Sequence, residues 1–240
     1  MILSLRDEYR REMACQIVHD SWHRRGFTQS YLIESDNAVV GYGSVGGAPH
    51  EAQNIVKEFF VRHTFRGAAL PLFRALVDRS GAAVVEAQTN DRLLMLMLYD
   101  CATDIVSDTI LFGDDATTGH PAPPGVSLRR VGKEEHAKVF AHTVEPIGDW
   151  GLEYEGELVA TGGIFTHYNP PYGDIYMEVA RPHHRKRFGS YLVQELKRIC
   201  REEGRIPAAR CHQNNVASRR TLERAGMFPC ARILRGRLIR

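Results

Sequence analysis

The sequence predicts an α+β fold: two tandem domains, each a mixed, mostly antiparallel sheet with helices on both faces. Three observations carry this. Gly113 to Gly125, GDDATTGHPAPPG, has Pro, Gly and Thr in place of any periodic apolar pattern and reads as a linker near the midpoint of the 240 residues. The two flanking halves align in one order: Glu34 with Glu153, Val40 with Val159, Glu58 with Glu178, Leu72 with Leu192, Leu76 with Leu196 and Gly81 with Gly204, at offsets of 119 to 123. Near-constant offsets with small slips are the mark of a duplication with loop-length changes. Finally, each half places several strands before its main helix and an alternating run after it, which makes a mixed sheet covered on both sides. The expected domains are residues 1–115 and 126–240, joined by residues 116–125.

In the first half, ILSL at the start reads as a strand and RREMACQIVHDSW as a helix. SYLIES and AVVGYGSVG follow as strands that turn at Asp36-Asn37, a hairpin signal. NIVKEFFV is a third strand, leading to a helix over Pro71–Asp78. The strand AVVEAQ, an apolar helix around Leu93–Cys101 and the strand IVSDTILF close the half. The second half gives VSLRRV, a short helix near Glu134–His142, then GLEYEG, LVATGGIF and DIYMEVA as strands. The main helix begins at Phe188, with Leu192, Leu196, Ile199 and Cys200 at helical spacing and Gly204 as its stop. AARCHQ, a helix over Val216–Ala225 and CARILRGRL finish the chain.

Composition is that of a soluble globular protein, 43% hydrophobic and 25% charged. A formal net charge of +2 gives no global field for nucleic acid or membrane. The opening MILSLRDEYRREM has charges where a signal peptide needs an apolar core, and the longest apolar run, LLMLMLY, is far shorter than a spanning helix. Five cysteines, Cys15, Cys101, Cys200, Cys211 and Cys230, are odd in number with no CxxC pair. They read as reduced thiols, and the protein as cytoplasmic. His19 and His23 lie four apart on a helical stretch, but no third ligand accompanies them, so no metal is expected.

The chemistry-bearing stretch is RPHHRKRFGSYLVQELKRICREEG, Arg181 to Gly204. Arg181, His183, His184, Arg185, Lys186 and Arg187 crowd the start of a helix, where the dipole is already positive. Free amides at a helix start bind phosphate, and cations beside them add charge-assisted bonds, so the expected ligand is a di- or polyphosphate. Gly189 and Ser190 are small enough for close backbone approach. Further on, NNVASRRTLERAGM opens a second helix at Asn215 and Ser218, both able to cap it.

Basic loop, small residues, helix, strand, then Asn–x–x–Ser–x7–Gly–apolar resembles the GNAT superfamily of acyl-CoA N-acyltransferases. The resemblance spans most of the second half and extends more weakly to the first through TFRGAALPLF, so the chain is similar to a tandem GNAT protein. It implies acetyl-CoA as co-substrate, an amine acceptor and no metal. It also implies a CoA site built from Val179, Ala180, Arg181, Arg185, Lys186, Arg187, Phe188, Gly189, Ser190, Asn215 and Ser218. The family loop, Arg/Gln-x-x-Gly-x-Gly/Ala, is only partly matched: its first position is His184 and its first glycine is Arg187. The first half has Thr64, Gly67 and Ala69 there. The tyrosine that protonates the departing thiolate in many members is Leu222 here, with Tyr99 at the equivalent place of the first half.

Glu178 is the candidate general base, a lone carboxylate in a strand with Ile175, Met177 and Val179. In the resembled family the strand before the loop splays from its neighbour, and its free backbone groups hold pantetheine and stabilise the oxyanion; Val179, Ala180 and Arg181 fall there. The expected activity is N-acetylation of a primary amine on a small molecule or peptide. The competing classes are a non-catalytic acyl-CoA-binding protein and an RNA-binding module using Arg181–Arg187, the latter disfavoured by the lack of interleaved aromatics. The acceptor, the acyl length and homodimer formation are left open.

Overall fold

Asp36 and Asn37 have φ of 50° and 60°. This left-handed pair closes a tight hairpin between β1 (Thr28–Ser35) and β2 (Ala38–Gly46). The computed structural model describes residues 1–13, 20–47, 53–167 and 170–239; Cys15 and His19 lie outside them. The chain forms two units, Met1–Ile110 with Ala231–Arg240, and Leu111–Cys230.

In the first unit β2 pairs antiparallel with β3 (Ile55–Val61). β3 leads through a 3-10 turn at His63–Ala68 into α3 (Ala69–Ser80), and β4 (Val84–Gln88) returns parallel to β3. α4 (Arg92–Cys101) and β5 (Ala102–Asp114) follow. The sheet order is β1-β2-β3-β4, continued by β11 (Met227–Leu238), whose Ile233–Arg237 stretch pairs antiparallel with β4. α3 and α4 bury Phe73, Leu76, Leu94, Met97 and Leu98 against Val56, Phe59 and Val85. Full burial of each such side chain contributes about 1.5–3 kcal/mol.

The chain start differs from its sequence expectation. ILSL is the first turn of α1 (Ile2–Arg11), not a strand. Leu5, Tyr9 and Met13 recur every four residues and pack with Tyr42 and Phe60, so the apolar window belongs to a helical stripe longer than four residues. The expected helix 10–22 is represented by the end of α1 and by α2 (Asp20–Arg24); residues 14–19 lie outside the described ones.

In the second unit β6 (Val126–Arg130), β7 (Trp150–Tyr154), β8 (Glu157–Phe165) and β9 (Tyr172–Val179) form an antiparallel meander. β10 (Ile206–His212) adds to it in parallel. The short helix expected near Glu134–His142 is a 3-10 turn at Lys133–Lys138. α5 (Phe188–Glu202) buries Phe188, Leu192 and Leu196 against Leu152, Ala160 and Ile175. Gly162 lets it approach, since a Cβ there would stand 2.5 Å from the Tyr176 carbonyl oxygen and 2.9 Å from Leu196. α6 (Val216–Arg224) completes the order. The run β1-β2-β3-α3-β4-α4-β5 in the first half is thus matched by β7-β8-β9-α5-β10-α6-β11 in the second.

The stretch read as a linker is docked within the second unit. Lys197, buried on α5, donates to the carbonyls of Ala116 and Ala225, each at 2.7 Å, and pairs with Asp114 at 3.0 Å. The His120 amide donates to Gln194 at 2.8 Å, and the Gln194 amide returns to the His120 carbonyl at 3.0 Å.

Candidate active site

β9 and β10 run side by side for only three pairs, Tyr172 with Ile206 to Asp174 with Ala208. Beyond Asp174 they diverge. The Ala180 amide donates back to the Val159 carbonyl on β8 at 2.9 Å, so by strand alternation Ile175, Met177 and Val179 aim their backbone groups at the opening. The Val179 carbonyl is covered there by His184, whose Nε2 donates to it at 2.9 Å. Of the backbone groups expected to face a pantetheine arm, only the N–H of Val179 does; Ala180 spends its N–H on the sheet, and the Arg181 carbonyl accepts from the His184 amide at 3.2 Å.

The opening leads to the start of α5. Arg185 and Arg187 have φ of 64° and 67°, and Arg187 is the N-cap residue, with no side-chain cap on the helix. Left-handed backbone on a non-glycine residue costs roughly 1–2 kcal/mol, and such strain gathers at functional sites. The first amides of α5 have no partner within the helix. Ser190 does not cap them; its hydroxyl donates to the Arg187 carbonyl at 3.1 Å. Arg181, Arg185 and Arg187 are exposed, and among the described residues none of the three forms an ion pair. Lys186 turns aside, its Nζ 3.3 Å from His183 Nδ1 and 5.4 Å from the Tyr154 ring centroid. Phe188 is core, stacked beneath His183. A Cβ on Gly189 would stand 3.2 Å from both Met177 and Thr221, so its smallness serves packing between β9 and α6. Asn215 caps α6, its Oδ1 accepting from the Ser218 amide at 3.0 Å.

Glu178 lies on the face of β9 opposite α5. One carboxylate oxygen accepts from the Thr143 amide and hydroxyl, both at 2.9 Å. The other accepts from the amides of Val144 at 3.1 Å and Glu145 at 3.0 Å. Burial pushes this carboxyl up, but the amides of Glu145, Thr143 and Val144 and the Thr143 hydroxyl outweigh it and bring it down to about 2. His142 stands beside the pair: Nδ1 is 3.7 Å from Glu178 and donates to the Glu145 carbonyl at 3.0 Å. Its Nε2 meets the Thr161 hydroxyl at 3.1 Å, and its ring stacks on Phe140. On the same face of β9, Asp174 is buried against Arg210 at 3.1 Å. Burial pushes Asp174 up to about 6 against the opposing guanidinium. Glu145 is raised by burial in the same way, with Arg210 opposing.

Glu58, its counterpart in the first unit, is fully buried. Arg6 donates to both its oxygens, at 3.2 and 3.1 Å, Tyr42 at 2.8 Å and His23 at 3.1 Å. Burial raises this carboxyl, but His23 and Arg6 outweigh it and hold it well below the usual range. Ser44 Oγ is 3.4 Å from the same His23 nitrogen. The basic loop differs more. Arg62 is clasped by Glu8 of α1 at 3.1 and 2.8 Å, and Arg66 by Glu12, the residue that caps the end of α1. Thr64 and Gly67 sit within the 3-10 turn.

His142, Thr143, Thr161 and Arg210 were not singled out from the sequence. The repeat held a signal for two of them: His142 lies 119 after His23, and Thr161 lies 117 after Ser44. Tyr99 is 62% exposed on α4, and Leu222 is buried. Among the described residues no cluster of three metal-ligating side chains occurs, and no helix is long and apolar enough to cross a membrane.

Residues 121–227 match the family model described as the acetyltransferase (GNAT) family. The matched residues lie in the second half, and acyl transfer from an acyl-CoA is the chemistry of that family. A search of curated proteins gives no match. Among solved structures, a GNAT-family acetyltransferase from Colwellia psychrerythraea is similar at TM-score 0.78 and 15% identity, over 99% of this chain and 96% of that one. A GCN5-related N-acetyltransferase from Sphaerobacter thermophilus is similar at TM-score 0.56 and 18% identity, over 87% and 80%. A tandem GNAT protein from the clavulanic acid biosynthesis pathway is similar at TM-score 0.55 and 15% identity, over 88% and 83%. At these identities the likeness is one of fold, and it extends over the whole chain. The GNAT fold and the α+β class expected from the sequence hold.

Proposed function

We propose that the protein is an acetyl-CoA-dependent N-acetyltransferase acting on a primary amine of a small molecule or peptide, with the reaction carried by the second unit. The carrying observation is the mouth of α5: uncapped amides, two left-handed arginines and three cations without ion pairs, set where β9 and β10 part. These residues fit a diphosphate. Arg185, Arg187 and the amides of Phe188 and Gly189 would hold it, and Val179 would meet the pantetheine arm. The thioester supplies the activated acyl group. The ammonium first gives a proton to solvent; the C–N bond then forms, the C–S bond breaks, the sulfur leaves with the electron pair, and the extra proton still carried by the new amide nitrogen also goes to solvent. A thiol of pKa about 8.5 leaves as a thiolate without an acid, in keeping with Leu222 at the position where the resembled family has tyrosine.

The first unit is read as a duplicate that has lost this chemistry. Matched element order, the 119 to 123 offsets and the shared His–hydroxyl–Glu grouping support descent by duplication, with copies 1–115 and 126–240. Arg62 and Arg66 are neutralised by α1, which favours a single CoA site. A cytoplasmic setting is supported by Cys101, Cys200 and Cys211 as buried thiols. Calorimetry with CoA tests the site, and thiol release with a panel of amines tests the transfer. No heat of association, or association with no release for any amine, would remove the reading.

A further inference from the structure

Resting on that reading, we infer that Glu178 is a positioning residue: its carboxylate clamps the Thr143–Glu145 loop over the face of β9 opposite α5, which that reading gives to the acceptor, and does not itself take up the amine's proton. A carboxylate offers about four lone-pair positions. Three loop amides and the Thr143 hydroxyl use four. A general base has to reach the proton it removes at about 2.6–3.2 Å, and here the approaches are taken by donors that cannot move without releasing the loop. Backbone amides hold a carboxylate ionised; they do not prepare it to accept a proton.

The first unit supplies an independent argument. Glu58 stands at the same strand position, opposite Ser44 as Glu178 is opposite Thr161. It also binds the chain segment that precedes the first hairpin of its half, through Arg6 of α1 and His23 of α2. Glu178 binds the corresponding segment ahead of β7. In both copies a histidine bridges the strand hydroxyl and that segment to the carboxylate. The two carboxylates share no hydrogen-bond donor, with the histidine donating to Glu58 and only standing beside Glu178, yet the carboxylate does the same job. A role in anchoring accounts for both; proton transfer accounts for neither set of bonds.

The loop presents His142 and Glu145 on the face of β9 opposite α5. Glu145 lies within electrostatic range of Arg210 from β10, Glu178, Asp174 and Tyr176 from β9, and His142 of its own loop. Releasing the clamp would therefore disturb the acceptor and leave the donor site at α5 as it is.

The test compares full-length wild type with Glu178→Gln and Glu178→Ala, using acetyl-CoA, the best amine from the panel, and hydrogen exchange of residues 142–148. In Glu178→Gln an amide NH2 replaces one acceptor and faces two of the donors. The expected result is an amine KM raised about 10-fold or more, with kcat within a few-fold and the acetyl-CoA KM unchanged. The acid limb of kcat/KM stays at the wild-type pH, and exchange in 142–148 quickens while the rest of the chain keeps its protection. A kcat lowered by about 10² to 10⁴ with an unchanged amine KM and a vanished acid limb would make Glu178 the base and overturn the inference. Unchanged exchange in 142–148 would overturn it too. Wild type that binds CoA but acetylates nothing would sink the proposed function, while the exchange comparison would still decide the clamp.

Discussion

Glu58 and Glu178 occupy equivalent strand positions, and each carboxylate is filled by four or more hydrogen bonds from different sources. In the first unit the donors are side chains, led by Arg6; in the second they are mostly backbone amides. The difference decides how each site responds to change.

Arg6 and Glu58 are both buried, so removing Arg6 takes away the permanent cation that faces Glu58 and leaves only Tyr42 and His23 on its carboxylate. Arg6→Ala is expected to lower the unfolding free energy by about 3–5 kcal/mol. Arg62→Ala, which breaks an exposed pair with Glu8, should cost at most about 1 kcal/mol. Denaturant titration of the two variants side by side is the check; equal losses would contradict the burial argument.

The strain at Arg187 predicts a trade. Arg187→Gly removes the left-handed penalty and should raise stability by up to about 1 kcal/mol after the entropy cost of glycine. It also removes a cation from the α5 mouth, so CoA affinity should fall. Reversing charge at Arg185 and Arg187 together should weaken CoA at least tenfold, by an amount that shrinks with added salt. Thermal unfolding and calorimetry read the two effects separately.

Asp91 caps α4 through the Leu94 amide at 3.0 Å and accepts the Tyr9 hydroxyl at 2.8 Å. Burial outweighs both bonds and pushes its carboxyl up to about 6 from an ordinary 3.8. The folded state thus binds the proton more tightly than the unfolded one. Its contribution is fully present below about pH 4 and is lost as pH rises through about 6. Asp91→Asn should flatten the stability curve between those values. An unaltered pH dependence would show that Asp91 does not titrate there.

Lys197→Met removes the donor of the buried Ala116 carbonyl and takes one donor from the Ala225 carbonyl and from Asp114, which keeps Arg201. A loss of about 2–4 kcal/mol is expected, with residues 114–120 becoming the first site of limited proteolysis. Cleavage elsewhere first would mean that the segment is held by its other bonds.

Strands and their order were legible because alternation and the Asp36-Asn37 turn are local signals, and α5 because Leu192, Leu196 and Ile199 mark a helical face. α1 was not: ILSL is too short a window to separate a strand from a helical turn, and Arg6 gains its meaning only from Glu58, 52 residues away. The exposed cations at the start of α5 could be read directly from the sequence. The loop that fills Glu178 could not, because three of its four donors belong to the backbone, which every sequence possesses.

β11 carries the last consequence. Its residues from Ala231 on belong with the first unit, where Ile233 to Arg237 pair with β4. During synthesis, each paired residue of β4 leaves the ribosome 145 to 153 residues before its partner on β11 (233−88 and 237−84). The half made first is therefore finished last, and it waits with an open sheet edge while the acyltransferase half is being made. Stopping translation after Cys230 would leave the truncated product exposed to aggregation through that edge, even though most of the catalytic half had already been built.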